Sequence, residues 1–105
     1  MTTFNKVAEV GDIPSGSFLY VEVDGTTAVL FNVGGEYYAI DAVCTHRGGN
    51  LSEGDLDGDC IVCPLHGARF DIRTGVKERG KPDQNVSTYP IRVDGNAILL
   101  GIDSD

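Results

Sequence analysis

Two Cys-His pairs dominate this chain. The first is Cys44-Thr45-His46, followed by Arg47-Gly48-Gly49; the second is Cys63-Pro64-Leu65-His66, followed by Gly67-Ala68-Arg69-Phe70. Sixteen residues separate His46 from Cys63. Both histidines and all three cysteines of the 105-residue chain fall between Cys44 and His66. Thiolate and imidazole donors gathered this way point to a transition metal. Two sulfurs and two nitrogens suit tetrahedral zinc. The order differs from the common zinc finger, in which two cysteines precede two histidines. Here each half supplies one donor of each kind, which suits a two-metal centre with one thiolate pair and one imidazole pair.

Cys44-x-His46, a spacer, and Cys63-x-x-His66 resemble the Rieske motif, in which two histidines replace two cysteines on one iron of a 2Fe–2S cluster. The run Cys63-Pro64-x-His66-Gly67-x-x-Phe70-Asp71 and the later Thr74-Gly75 strengthen the likeness, which is strongest over residues 41–75. The resemblance implies one Rieske 2Fe–2S cluster. Cys44 and Cys63 would hold its inner iron, and His46 and His66 its outer, more exposed iron. It also implies that a proline-bearing loop covers the cluster, with Pro82 as the candidate. A zinc-binding structural module using the same four residues is the rival from a different class.

The pattern around this stretch is that of an all-β protein. Residues 4–10 read as an edge strand, and Gly11, Pro14 and Gly16 break it. Residues 17–23, 26–33 and 36–41 then form a meander, turned at Asp24-Gly25 and Gly34-Gly35. No 11-residue window keeps a helical period. The acidic, turn-rich segment 50–59 joins the two halves of the motif, and Cys60-Ile61-Val62 is a short strand delivering Cys63. Cys60 reads as a small core residue on that strand. Residues 69–72 form another strand, and 89–93 and 97–102 a closing hairpin. The expectation is one Rieske domain over residues 1–105. It has two antiparallel sheets, sandwich- or barrel-like, and a small cluster-binding subdomain of two loops, about residues 42–72. Gly48, Gly49 and Gly67 are read as glycines that let backbone N–H groups approach the cluster sulfurs, and Pro64 as a stiffener of the second loop.

The net charge of −8 argues against nucleic acid as a partner, since phosphate contacts require the opposite sign. It suits a carrier steered to basic surfaces. No apolar run approaches the length of a membrane span, and residues 1–6 show neither a signal-peptide core nor twin arginines. A cytoplasmic monomer is expected.

With two thiolates the oxidised cluster is formally neutral; four would leave it doubly negative. A less negative centre accepts an electron more readily, so Rieske potentials lie above those of plant-type clusters. The outer histidines would gain basicity on reduction. High-potential relatives carry a disulfide at positions matching Gly49 and Leu65, and hydroxyl donors matching Ala68 and Phe70. None is present here, so the resemblance implies a low potential. It further implies an electron-carrying ferredoxin rather than an enzyme. That ferredoxin would pass electrons from a flavoprotein NAD(P)H reductase to a terminal oxygenase, as in aromatic-ring-hydroxylating dioxygenase systems of aromatic hydrocarbon catabolism. Arg47 and Arg69 would frame the docking face. Alternatives are the Rieske-like small subunit of a nitrite reductase and a carrier to another monooxygenase.

Overall fold

A computed structural model describes residues 2–43, 50–63, 69–77 and 85–103. Among these residues there are ten strands, two single-turn 3-10 helices (Val10–Asp12 and Leu51–Glu53) and no α-helix. The strands are β1 (Thr2–Glu9), β2 (Phe18–Val23), β3 (Thr26–Val33), β4 (Glu36–Asp41), β5 (Asp55–Asp57), β6 (Cys60–Val62), β7 (Arg69–Asp71), β8 (Thr88–Tyr89), β9 (Ile91–Asp94) and β10 (Ala97–Asp103). They form three antiparallel sheets, ordered β1-β10-β9, β2-β3-β4-β8 and β5-β6-β7.

The meander arises as the turn residues dictate. Asp24 and Gly25 have φ of 49° and 82°, and Gly34 and Gly35 have φ of 63° and 91°. Two successive positive φ values are the two-residue turn whose twist matches that of the flanking strands. Asn32, only 6% exposed, anchors the second turn. Its Nδ2 donates to Ile13 O at 2.7 Å, and its Oδ1 accepts from Gly35 N at 2.9 Å.

The run Ala28-Val29-Leu30-Phe31 is fully buried, so β3 has no solvated face. Ala28 and Leu30 pack with Ile98 and Leu100 of the first sheet, whereas Val29 and Phe31 pack with Ile61, Cys63 and Phe70 of the third. The meander is therefore the middle layer, and its second face is the floor beneath the motif.

Three features depart from the expectation. The acidic linker contains β5, whose Leu56 packs against the core while Asp55 and Asp57 stay exposed. A third sheet, β5-β6-β7, thus adds to the two expected. The segment 89–93 is two strands: Thr88–Tyr89 pairs with β4, and Ile91–Asp94 pairs with β10. Pro90 lies between them and has no N–H to continue a ladder, so the chain changes sheet there. Cys60 is not a core residue. It is half-buried beside the fully buried Ile61, on the face it shares with Val62.

Candidate metal centre

The site is built on the hairpin β6–β7. Ile61 pairs with Phe70 and Val62 with Arg69, so the ladder closes beneath the second half of the motif. Ile61 and Phe70 are wholly buried and stitch the hairpin to the floor. The alternation that buries Ile61 continues to Cys63, which is 1% exposed and belongs to the same apolar cluster. Cys60 and Cys63 therefore leave the segment on opposite faces. That geometry argues against reading Cys60-x-x-Cys63 as one chelating pair.

The first half of the motif is closed at its base by the antiparallel bridge between Val43 and Asn50. Leu51 N donates to Ala42 O at 2.7 Å, and the Leu51 side chain is wholly buried in the cluster that contains Cys63. The Asn50 side chain caps the short helix that follows: Oδ1 accepts from Ser52 N at 2.9 Å and from Ser52 Oγ at 2.6 Å. The base of the first half and the chain leading to Cys63 thus stand on one apolar floor.

A third segment is closed at the same end. Phe70 bridges Lys77, Asp71 N donates to Val76 O at 2.9 Å, and Lys77 N donates to Asn85 Oδ1 at 2.9 Å. Val86 N then bonds Gly75 O, and Asp41 N bonds Ser87 O, so backbone bonds link β7 across to β4. Among the donors read from the sequence, Cys63 is described; Cys44, His46 and His66 lie outside the described residues. So do Arg47, Gly48, Gly49, Pro64, Leu65, Gly67, Ala68 and Pro82.

The donor set and its setting fit an iron–sulfur group. Cys63 places a thiol sulfur in an apolar cluster, beside the closed base of the segment that carries Cys44 and His46 in sequence. The rim is acidic. Glu53, Asp55, Asp57 and Asp59 are exposed at every second position. Arg69 pairs with Asp57 at 2.8 Å, which gives it a local structural role beside the docking role read from sequence. Arg73 bridges Asp59 and Asp71, each at 3.5 Å. The hydrogen bond to Asp71, with the charge of Asp59, raises its pKa further. On the middle sheet, the Tyr38 phenol donates to Glu36, and that bond raises its pKa above 10.0. Sequence reasoning missed β5 and the capped turn at Asn50. The Asn50-x-Ser52 pattern was the available signal for the cap.

The model of the Rieske [2Fe-2S] domain family matches residues 3–90. The ferredoxin component of a naphthalene 1,2-dioxygenase system from Pseudomonas aeruginosa is 41% identical over 91 residues, which is 87% of this chain and 88% of that protein. The fold superposes on the ferredoxin of carbazole 1,9a-dioxygenase from Nocardioides aromaticivorans IC177. The TM-score is 0.87 and the identity 33%, covering 93% of this chain and 96% of that one. A complex of reduced oxygenase and oxidised ferredoxin in carbazole 1,9a-dioxygenase matches with a TM-score of 0.85 and 31% identity, over 92% of this chain and 91% of that one. No helix among the described residues is long and apolar enough to cross a membrane.

Proposed function

The chain belongs to the Rieske [2Fe-2S] domain family, and from that membership we propose that it is the ferredoxin of an aromatic-ring-hydroxylating dioxygenase system. It accepts one electron from an NAD(P)H-dependent flavoprotein reductase and delivers it to a terminal oxygenase. The residues holding the cluster are Cys44 and Cys63 through sulfur, and His46 and His66 through imidazole nitrogen. The whole chain is one domain, working as a monomer in the cytoplasm.

The observation that carries this reading is the shared floor. Cys63 is buried in an apolar cluster that also holds Leu51, the residue closing the segment of Cys44 and His46. When bound there, a Rieske cluster supplies reversible one-electron chemistry at a potential set by its surroundings. The chain's own residues do the rest. Ile61, Phe70 and Leu51 exclude water from the thiolate side, which lowers the local dielectric and makes each nearby hydrogen bond count for more. The Val62–Arg69 and Val43–Asn50 closures hold the donor-bearing segments against the floor. The net charge of −8 suits partners with basic docking surfaces.

A nitrite reductase small subunit remains the alternative within the fold, and a carrier to another monooxygenase the alternative within the chemistry. Support for the dioxygenase reading comes from relatives that are ferredoxin components and from the presence of all four donor residues in this sequence. The test is voltammetry with electron paramagnetic resonance on the purified protein. A single one-electron wave and the spectrum of a mixed-ligand 2Fe–2S centre are expected. Reduction by a ferredoxin reductase and reoxidation by a ring-hydroxylating oxygenase would follow. A colourless, redox-silent sample with bound zinc would overturn the reading.

A further inference from the structure

Gly54 has φ of −86° and ψ of −167°, values open to any residue. Conformational freedom therefore does not explain a glycine here, but space does. A Cβ at this position would lie 1.9 Å from the carbonyl oxygen of Val62, 3.0 Å from that carbonyl carbon and 3.3 Å from the Leu51 oxygen. All three neighbours are backbone, so no side-chain rotation relieves the overlap. The hydrogen standing in for Cβ points instead at the Val62 oxygen, as in a weak Cα–H···O contact.

What lies on each side gives the contact its meaning. Gly54 ends the turn that starts at Asn50. Its N–H donates to Leu51 O at 3.1 Å, and Glu53 N donates to Asn50 O at 3.1 Å. Asn50 is bridged to Val43 at the base of the Cys44–His46 segment. On the other side, Val62 is the residue before Cys63. The β5·β6 register pairs Asp55 with Val62, so one further step sets Gly54 across from Cys63. The turn is thus a short spacer, pinned by hydrogen bonds, between the base of one donor segment and the backbone that delivers the other.

We infer that Gly54 is a positioning residue for the metal centre: its α-carbon rests on the Val62 carbonyl and sets how closely the two donor segments approach. Gly54 supplies no ligand atom. A methyl group there must push Val62, and with it Cys63, away from the turn. Constellations of this kind tolerate only about 0.5 Å of displacement, less than the overlap a Cβ would create. Gly11 offers the contrast, because a Cβ there meets nothing within 4 Å. This inference rests on the cluster reading of the previous subsection.

The experiment compares the holoprotein with its Gly54→Ala and Gly11→Ala variants. The readouts are iron per chain, the resonance spectrum and midpoint of the reduced protein, iron release to a chelator, and amide exchange of the first two sheets. Gly54→Ala should keep the amide protection of β1–β4 and β10 while shifting both spectrum and midpoint. It should release iron about 10-fold faster, the scale on which groups behind metal ligands act. Gly11→Ala should match the wild type. A Gly54→Ala protein with wild-type spectrum, midpoint and iron release would overturn the inference while leaving the cluster reading intact. Loss of protection throughout both sheets would also overturn it, by making Gly54 a residue of the whole fold. A wild-type protein without iron would instead sink the cluster reading, and this inference with it.

Discussion

Leu51 joins the metal site to the core, and its truncation tests whether the floor beneath the site is as tight as described. Its side chain is 0% exposed and packs in the cluster that contains Ile61, Cys63 and Phe70. Leu51→Ala removes three carbons from that environment. At about 0.8 kcal/mol per buried methylene, the lost transfer free energy is about 2.4 kcal/mol. The cavity left behind adds to this, since β3 and β4 back the site and cannot collapse freely into it. Measured costs for such truncations run from about 2 to 5 kcal/mol, and the upper half of that span is expected here. A domain of this size has only about 5–15 kcal/mol in total. The assay is urea unfolding of the holoprotein under anaerobic conditions, followed by far-ultraviolet circular dichroism. With a slope of about 1–3 kcal/mol per molar urea, the midpoint should fall by roughly 1 M or more. Val43→Ala is the matched control at the same loop base. That side chain is 48% exposed, so its loss should cost no more than about 0.5 kcal/mol. A Leu51→Ala cost below about 1 kcal/mol, or equal costs for the two variants, would refute the shared floor.

Three further outcomes follow from the same structure. Cys63→Ala should bleach the protein, whereas Cys60→Ser, on the opposite face, should keep the visible absorption; the reverse result would reassign the sulfur donor. The midpoint should lie near the lower end of the range from about −150 to +300 mV, and Ala68→Ser should raise it by adding a hydroxyl donor; voltammetry showing a wild-type midpoint well above zero would contradict this. Stability should fall in alkali. Burial, with the charge of Asp41, raises the Tyr89 pKa, and the Glu36 hydrogen bond raises that of Tyr38. Folded chains then hold these protons more tightly than unfolded ones. The stabilisation is complete below the ordinary value of 10.0 and is lost as pH rises through the folded values. Tyr89→Phe should flatten the fall in unfolding midpoint above about pH 10, and an unchanged slope would refute the assignment.

Much of this architecture is written in local chemistry. Strands β3, β4 and β6 occur at the residues that alternation, β-branching and turn signals predict, because Asp24-Gly25 and Gly34-Gly35 permit the backbone twist a tight hairpin needs. The proposal of Cys44, His46, Cys63 and His66 as donors rests on sequence for a related reason: few chemistries use two Cys-His pairs at that spacing. The linker reading of 50–59 failed because Asp-Leu-Asp has little strand propensity of its own. It becomes β5 only when Cys60–Val62 offers a ladder and Leu56 an apolar surface.

The sequence by itself determined the all-β class and the meander, since each rests on residue identity or on neighbours close along the chain; the metal chemistry and the low-potential expectation rest on the likeness of its two Cys-His pairs to the Rieske motif. Only the tertiary structure decided the rest. It divided the strands around Pro90 between two sheets, turned Cys60 away from the core, and placed Cys63 and Leu51 on one floor. It also showed that Gly54 is required by space and not by φ. These outcomes depend on contacts between segments distant in sequence, where the burial each residue achieves is set by its partner and not by its own side chain.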